Sequence, residues 1–296
     1  MKKSIALVAL AFGVTGAFAQ DLTSKKGEPF LPEAGDYAIG VDATPFLQYV
    51  GNFFGKSTAN AAPTWNFANS NFTITGKKFV DANNAYRASI NLGFTNNSTK
   101  TMVADRSVTT APTYPALPTM VENKYKTSST SIGLSVGIEK RRGKTRLQGV
   151  YGAEAGLGIN TGGSKYTYGN ALSTSVAVNA AGDGMNGGAN ITTDTYGNAA
   201  RITKVKSGLG FSFGVRGFVG AEYFVAPKVS IGGEFGWGLG FGISGKSKTS
   251  TESSNGATIG GTQEIEGSKS SSFILGTDNK NAFFGPSGVI RLNLHF

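Results

Sequence analysis

Two stretches of this chain have residue types at spacings that could do chemistry. Residues 240–247, Gly-Phe-Gly-Ile-Ser-Gly-Lys-Ser, match the phosphate-loop pattern GxxxxGK[ST], and residues 240–245 also match GxGxxG. Both patterns work by presenting backbone N–H groups at a helix start to a phosphate. The residues that follow, KTSTESSNG, have no amphipathic helical pattern, so the match is read as a by-product of alternating glycine. The second candidate is the single histidine, His295, next to the last residue. A metal site or a Ser-His-Asp arrangement would need partners gathered around it beside a substrate. With no cysteine there is no disulfide, thiolate zinc site or lipid-modified cysteine. What remains is a set of isolated charges of both signs set among glycine and serine: Asp42, Arg87, Glu154, Arg216, Glu234 and Arg291.

The elements that must position these charges are read from parity. Between residues 205 and 243 the odd positions are apolar or small and carry no charge, among them Phe213, Val219, Tyr223, Phe235, Trp237 and Phe241. The even positions are mostly Gly and Ser, with Lys206, Arg216, Glu222 and Glu234. A period of two is the signature of a strand, whose successive side chains point to opposite faces. Ala226-Pro227 turns the chain between two such runs, giving a hairpin of strands at 205–225 and 229–243. The wide aromatic face is read as touching lipid, and the glycine face as lining a narrow barrel. The competing arrangement is a soluble barrel with its apolar face inward.

Six further strands follow from the same pattern, near 35–44, 71–80, 85–95, 127–140, 145–160 and 283–296. In the second, the alternation slips at Lys77-Lys78, so a bulge is expected there. The segment 45–54 is aromatic and irregular. Short turns at 81–84, 141–144 and 226–227 alternate with long polar connections, the third of which spans 161–203. Within that connection, 173–178 and 190–195 could pair as a hairpin. Long loops on one side and short turns on the other are expected of an outer-membrane barrel, and a soluble barrel has no reason for them. The fold class is therefore all-β: an eight-stranded antiparallel up-and-down transmembrane β-barrel with four long extracellular loops. Residues 1–19 read as a signal peptide: Lys2-Lys3, a short apolar core, and Ala17-Phe18-Ala19 before cleavage between Ala19 and Gln20. The barrel domain is then 20–296, and both termini are expected in the periplasm.

The chain ends with Ile290, Leu292, Leu294 and Phe296 on one face, and Arg291, Asn293 and His295 on the other. Here the sequence resembles the OmpA/OmpX-like outer-membrane barrels, whose last strand ends in an aromatic carboxyl-terminal residue. The resemblance implies that Leu292, Leu294 and Phe296 are an insertion signal for the barrel-insertion machinery and periplasmic chaperones. Gly288 lies too far upstream for that pattern's usual glycine. GDYAIGVDATPFLQYVGNFF and PTWNFANSNFTITGKKF also look like segments of poorly characterised barrels in this broad family.

The net charge of +10 could mean nucleic acid, but its lysines are scattered with no basic helix or aromatic stacking motif. A few are expected to meet anionic lipid head groups or lipopolysaccharide. The inward charges are expected to pair, Asp42 with Arg291 across the closing seam and Glu234 with Arg216, because an unpaired charge in such a lumen costs several kcal/mol. Eight strands leave room only for side chains. The expectation is thus a non-enzymatic barrel without cofactor that presents polar loops to an extracellular ligand. A narrow channel is the alternative. A lipid-modifying enzyme is a third, opposed by the position of His295, which faces in at the periplasmic end.

Overall fold

The structure is a computed structural model that describes residues 22–55, 74–110, 112–255, 258–277 and 289–296. The leader with Ala19 and Gln20, the start of the second expected strand (Phe72) and residues 283–288 with Gly288 lie outside the described residues.

Among the described residues, thirteen strands form one antiparallel sheet. They are β1 (Tyr37–Asp42), β2 (Ile74–Asp81), β3 (Asn84–Ala104), β4 (Met120–Arg142), β5 (Leu147–Thr167), β6 (Ile191–Thr193), β7 (Ala199–Lys206), β8 (Gly210–Ala226), β9 (Val229–Ser244), β10 (Lys248–Asn255), β11 (Thr258–Glu266), β12 (Ser270–Thr277) and β13 (Val289–His295). A ring of eight closes through β1–β2–β3–β4–β5–β8–β9–β13 and back to β1. Two parts share the eighth position: β13 pairs with the lower half of β9, and β12 pairs with its upper half, from Ser270↔Ser244 to Thr277↔Trp237. The eighth strand therefore starts inside what the sequence reads as the fourth loop, not at residue 283.

The parity reading holds around the ring. Phe213, Phe235, Trp237 and Phe241 are exposed on the outer wall, together with Val136, Ile138 and Leu157. Their luminal neighbours Arg216, Phe218, Glu222 and Phe224 are buried. On β2 the alternation runs straight through: Thr75, Lys77 and Phe79 are buried while Lys78 and Val80 are exposed. The expected slip at Lys77-Lys78 is thus absent; Lys77 is a luminal residue, and the register shift falls two residues on, between Phe79 and Asp81.

The connections opposite the termini contain far more strand than their composition implies. β3 and β4 pair without interruption to Ala104↔Met120, some ten residues beyond the expected end of the third strand. β7, β10 and β11 continue the wall above β8, β9 and β12 after breaks at 207–209, 245–247 and 267–269. Each break resets the parity. Lys206 pairs with Gly163 and lies exposed on the outer face, so it is not the inward charge that parity across 205–225 would make it. Close approach of the chains requires glycine in two of the breaks: a Cβ on Gly208 would collide with the Gly245 carbonyl, and one on Gly267 with Ser247 Oγ. The expected 173–178 with 190–195 hairpin does not form; β6 pairs with β7 instead.

Residues 45–54 are not irregular but helical, within α1 (Thr44–Phe54), whose Phe46, Tyr49, Val50, Phe53 and Phe54 are exposed. At the turn end, residues 22–34 are a folded segment. Phe30 is buried, and the Arg146 guanidinium stacks 3.6 Å from its ring centre.

Candidate functional site

The lumen beside the turns is filled by a lattice of charges, one or more from nearly every strand. Arg87 on β3 is its hub. Its guanidinium donates to both oxygens of Glu234 at 2.9 and 3.1 Å, lies 3.3 Å from Glu154 and 3.6 Å from Glu139, and stacks 4.2 Å from the centre of the Phe218 ring. Arg216 donates to Glu154 at 2.8 Å and to Glu234 at 3.1 Å. Arg291 reaches Glu234 at 3.5 Å and donates to Thr75 Oγ1. Asp42 is buried and lies directly opposite Arg291 in the β1–β13 register. The structure thus brings the six charges singled out in the sequence to one luminal layer.

A second layer lies nearer the turns. Lys77 donates to Glu139 at 2.9 Å, Arg141 to Glu222, and Ser230 and Asn293 also donate to Glu222. His295 is buried here, its Nε2 3.1 Å from Ser230 Oγ. The sequence signal for Lys77 is obscured by its neighbour Lys78, and Arg141 falls in the expected 141–144 turn, whereas β4 in fact continues through Arg142 and the turn begins two residues later. Within these two layers the signs balance: Lys77, Arg87, Arg141, Arg216 and Arg291 face Asp42, Glu139, Glu154, Glu222 and Glu234. Balance matters because an unpartnered buried charge costs several kcal/mol, whereas a fully paired set can offset its own desolvation.

Glycine makes room for this lattice. A Cβ on Gly236 would lie 2.9 Å from Arg216 Cζ, and one on Gly152 would lie 2.8 Å from Phe218 Cζ. Alternate glycine on β5, β8 and β9 thus relieves two kinds of crowding in a narrow cylinder, inward side chains such as Arg216 beside Gly236 and neighbouring backbone carbonyls such as Ile138 beside Gly152 and Val215 beside Gly238.

Above the lattice the lumen opens into a cavity of about 360 Å³. Ser89, Asn91, Ser131, Asn160, Ser212 and Ser272 line it, and Glu154 and Arg291 form its floor. It is a polar cup closed below by salt bridges. The GxxxxGK[ST] match runs from the upper part of β9 across the 245–247 break toward β10, with no helix start at its end.

The long connection after β5 is folded around Asp183. Its carboxylate accepts from Arg106 at 2.6 Å, Arg201 at 2.7 Å and the Asn179 amide at 2.9 Å. Arg201 also donates to Glu252 at 2.7 Å and stacks 3.9 Å from the centre of the Tyr168 ring. Burial pushes the Tyr168 phenol up to about 12. Asp194 accepts from the amides of Tyr196 and Asn198, from the Asn198 side chain and from Ser253. The Asn198 side chain leads in holding that carboxyl down to about 2.

No family model matches the chain, and no curated protein matches it in sequence. Two solved structures are weakly similar. One is the outer membrane protein OprG from Pseudomonas aeruginosa, at 11% identity and a TM-score of 0.29, covering 90% of this chain and 98% of that one. The other is a major outer membrane protein from Thermus thermophilus, at 13% identity and a TM-score of 0.27, covering 88% and 98%. Likenesses this slight carry no functional weight. What the structure itself defines is an eight-stranded antiparallel barrel with an apolar girdle, a charge-filled lumen and a wall that extends past the girdle on one side.

Proposed function

We propose that this chain is a non-enzymatic integral barrel of the bacterial outer membrane, similar in kind to the OmpA/OmpX barrels, that presents its extended end for surface interaction. Both termini then lie in the periplasm, and Leu292, Leu294 and Phe296 serve the insertion machinery. The observation that carries the proposal is the pairing of an apolar, aromatic girdle on the outer wall with a lumen blocked by paired charges. Apolar side chains on that wall need hydrocarbon around them, since a soluble chain rarely exposes so broad a patch. Supporting the terminal signal, Leu294 and Phe296 are exposed on the outer face, and Phe296 exchanges backbone hydrogen bonds with Tyr37 at 2.8 and 2.9 Å across the seam.

The protein should require detergent or lipid to stay folded and should keep a compact, heat-modifiable electrophoretic mobility. In intact cells, cross-linking should capture a partner with full-length protein and lose it when residues 170–198 are shortened. A stable current in planar bilayers would favour the narrow-channel alternative. Altered acyl chains on lipid A would favour a lipid-modifying enzyme.

A further inference from the structure

Just beyond the apolar girdle, the outer face of the extended wall carries lysines stacked against one another. Lys126 on β4 lies directly opposite Lys165 on β5, and Lys165 directly opposite Lys204 on β7. Two register positions closer to the girdle, Lys206 faces Gly163. All four lysines are solvent-accessible on this wall. Like charges placed directly opposite each other destabilise a sheet. Elsewhere on this wall the cost is relieved: Lys100 pairs with Glu122 at 3.0 Å, Lys246 with Glu266 at 2.5 Å and Lys248 with Glu264 at 2.6 Å. No ion pair joins Lys126, Lys165, Lys204 or Lys206 to any acidic side chain among the described residues.

The four lysines also frame a hollow. A cavity of about 410 Å³ lies between them, lined by Ser128, Thr130 and Thr161. Gly163 keeps it open, and no larger residue fits there, because a Cβ would collide with the Val205 carbonyl. Donors of two kinds, ammonium and hydroxyl, therefore converge on a concave site with no acceptor charge of its own. That is the chemistry of phosphate recognition.

Its height selects the source of the phosphate. The last outward apolar residue of β5 before the site is Ile159, four positions below Gly163. At about 3.4 Å per residue and a tilt of roughly 40°, Lys206 lies about 10 Å above the hydrocarbon edge and the Lys126, Lys165 and Lys204 row about 16 Å above it, the height of a phosphorylated sugar head group rather than of a simple phospholipid. The polar layer of a bilayer is about 5–8 Å deep on each side, and a lysine stem can lean back toward it. We propose that Lys126, Lys165, Lys204 and Lys206 form a binding site for the phosphate groups of a membrane glycolipid of the lipopolysaccharide class. The proposal rests on the outer-membrane reading and names a partner within it. The bound phosphate supplies the missing counter-charge for the opposed lysines.

The test uses the full chain folded in a zwitterionic detergent, with lipopolysaccharide, chemically dephosphorylated lipopolysaccharide and inorganic phosphate as probes. Each juxtamembrane lysine is worth roughly fivefold in affinity for an anionic surface, so the double variant Lys165→Gln/Lys204→Gln should bind lipopolysaccharide about thirtyfold more weakly. The wild type should likewise bind the dephosphorylated lipid poorly. Lys140→Gln/Lys144→Gln, with the same loss of charge at the other end of the barrel, should bind like the wild type. Without lipid, the Lys165/Lys204 variant should melt at or above the wild-type temperature because a like-charge contact is gone; with lipopolysaccharide it should melt below it. Unchanged affinity in that variant, or equal affinity for the dephosphorylated lipid, overturns the proposal while leaving the barrel reading intact. Inorganic phosphate binding as tightly as the glycolipid overturns the lipid source. Wild-type protein that stays folded and monodisperse in buffer alone refutes the membrane reading and this site together.

Discussion

Arg87→Met is the most direct test of the luminal lattice. The substitution keeps much of the stem volume and removes the charge that touches Glu234, Glu154 and Glu139. Each carboxylate retains another cation, Glu234 and Glu154 through Arg216 and Glu139 through Lys77. No acid is left bare, which places the electrostatic loss at the lower end of the about 3–5 kcal/mol that follows breaking a buried pair. The lost stacking on Phe218, whose ring centre lies 4.2 Å from the guanidinium, adds roughly 1 kcal/mol. The total is about 4 kcal/mol.

Urea unfolding from detergent micelles, followed by circular dichroism and heat-modifiable mobility, measures it. Glu234→Gln alone should cost a similar amount, because it leaves Arg87, Arg216 and Arg291 crowded around a neutral amide. The double variant restores the balance of signs. It should therefore be more stable than the sum of the single losses by about 1.5–3 kcal/mol, within the range seen for residues in one network. A loss under about 1 kcal/mol for Arg87→Met, or a coupling near zero, would mean that water already solvates these groups and that the lattice is not a structural unit.

Other consequences are as specific. Arg216→Ala should lower stability without opening a conducting path, since Glu154 and Glu234 collapse onto Arg87; a large, stable bilayer current from the variant or the wild type would refute the blocked lumen. Asp183→Ala leaves Arg201 buried with Glu252 alone, so residues 170–198 should become protease-sensitive while the barrel keeps its heat-modifiable mobility; resistance equal to the wild type would count against that organisation. The Asp194 carboxyl is depressed in the folded chain to about 2, so its contribution is fully present above the ordinary value of 3.8 and is lost as pH falls through about 2. The amide resonances of Tyr196 and Asn198 should accordingly titrate near 2, and a midpoint close to 3.8 would show that the turn does not hold the charge.

Most of the girdle was legible because lipid and lumen impose opposite demands on alternate residues, which leaves a period of two in β8 and β9. The extensions were not legible for the same reason. On β3 beyond residue 95 the sequence runs NNSTKTMVA, and on β4 before residue 127 it runs VENKYK. Both faces of these strands meet water or polar chain, so no contrast marks the parity, and Ser, Thr and Asn read as loop. Lys77 escaped because one of two adjacent lysines must face outward, and only the three-dimensional position of Glu139, 62 residues away, says which. The parity resets at 207–209, 245–247 and 267–269 each cost three residues of pattern, which is why Lys206 was placed on the wrong face.

The lattice also explains why this barrel adopts one register when its glycine-rich strands offer little side-chain packing to choose it. Sliding β8 by one residue turns Arg216 and Glu222 into the girdle and drives Phe213, Val215 and Tyr223 into the lumen. An arginine facing lipid at the bilayer midplane costs about 2–4 kcal/mol. The partners left behind, Glu154, Glu234 and Arg141, would each lose one buried counter-charge while keeping Arg87 or Glu139, a loss toward the lower end of about 3–5 kcal/mol. The lumen has no volume for the incoming aromatics, because Gly152, Gly236 and Gly238 already face side chains at contact distance. A two-residue slip keeps the faces but moves each charge by ~7 Å along the strand, beyond the 2.8–3.5 Å contacts that now join β3, β5, β8, β9 and β13. The charges that look least suited to a membrane protein are thus the ones that exclude its alternative pairings, and the glycines that appear to weaken the strands are the space those charges occupy.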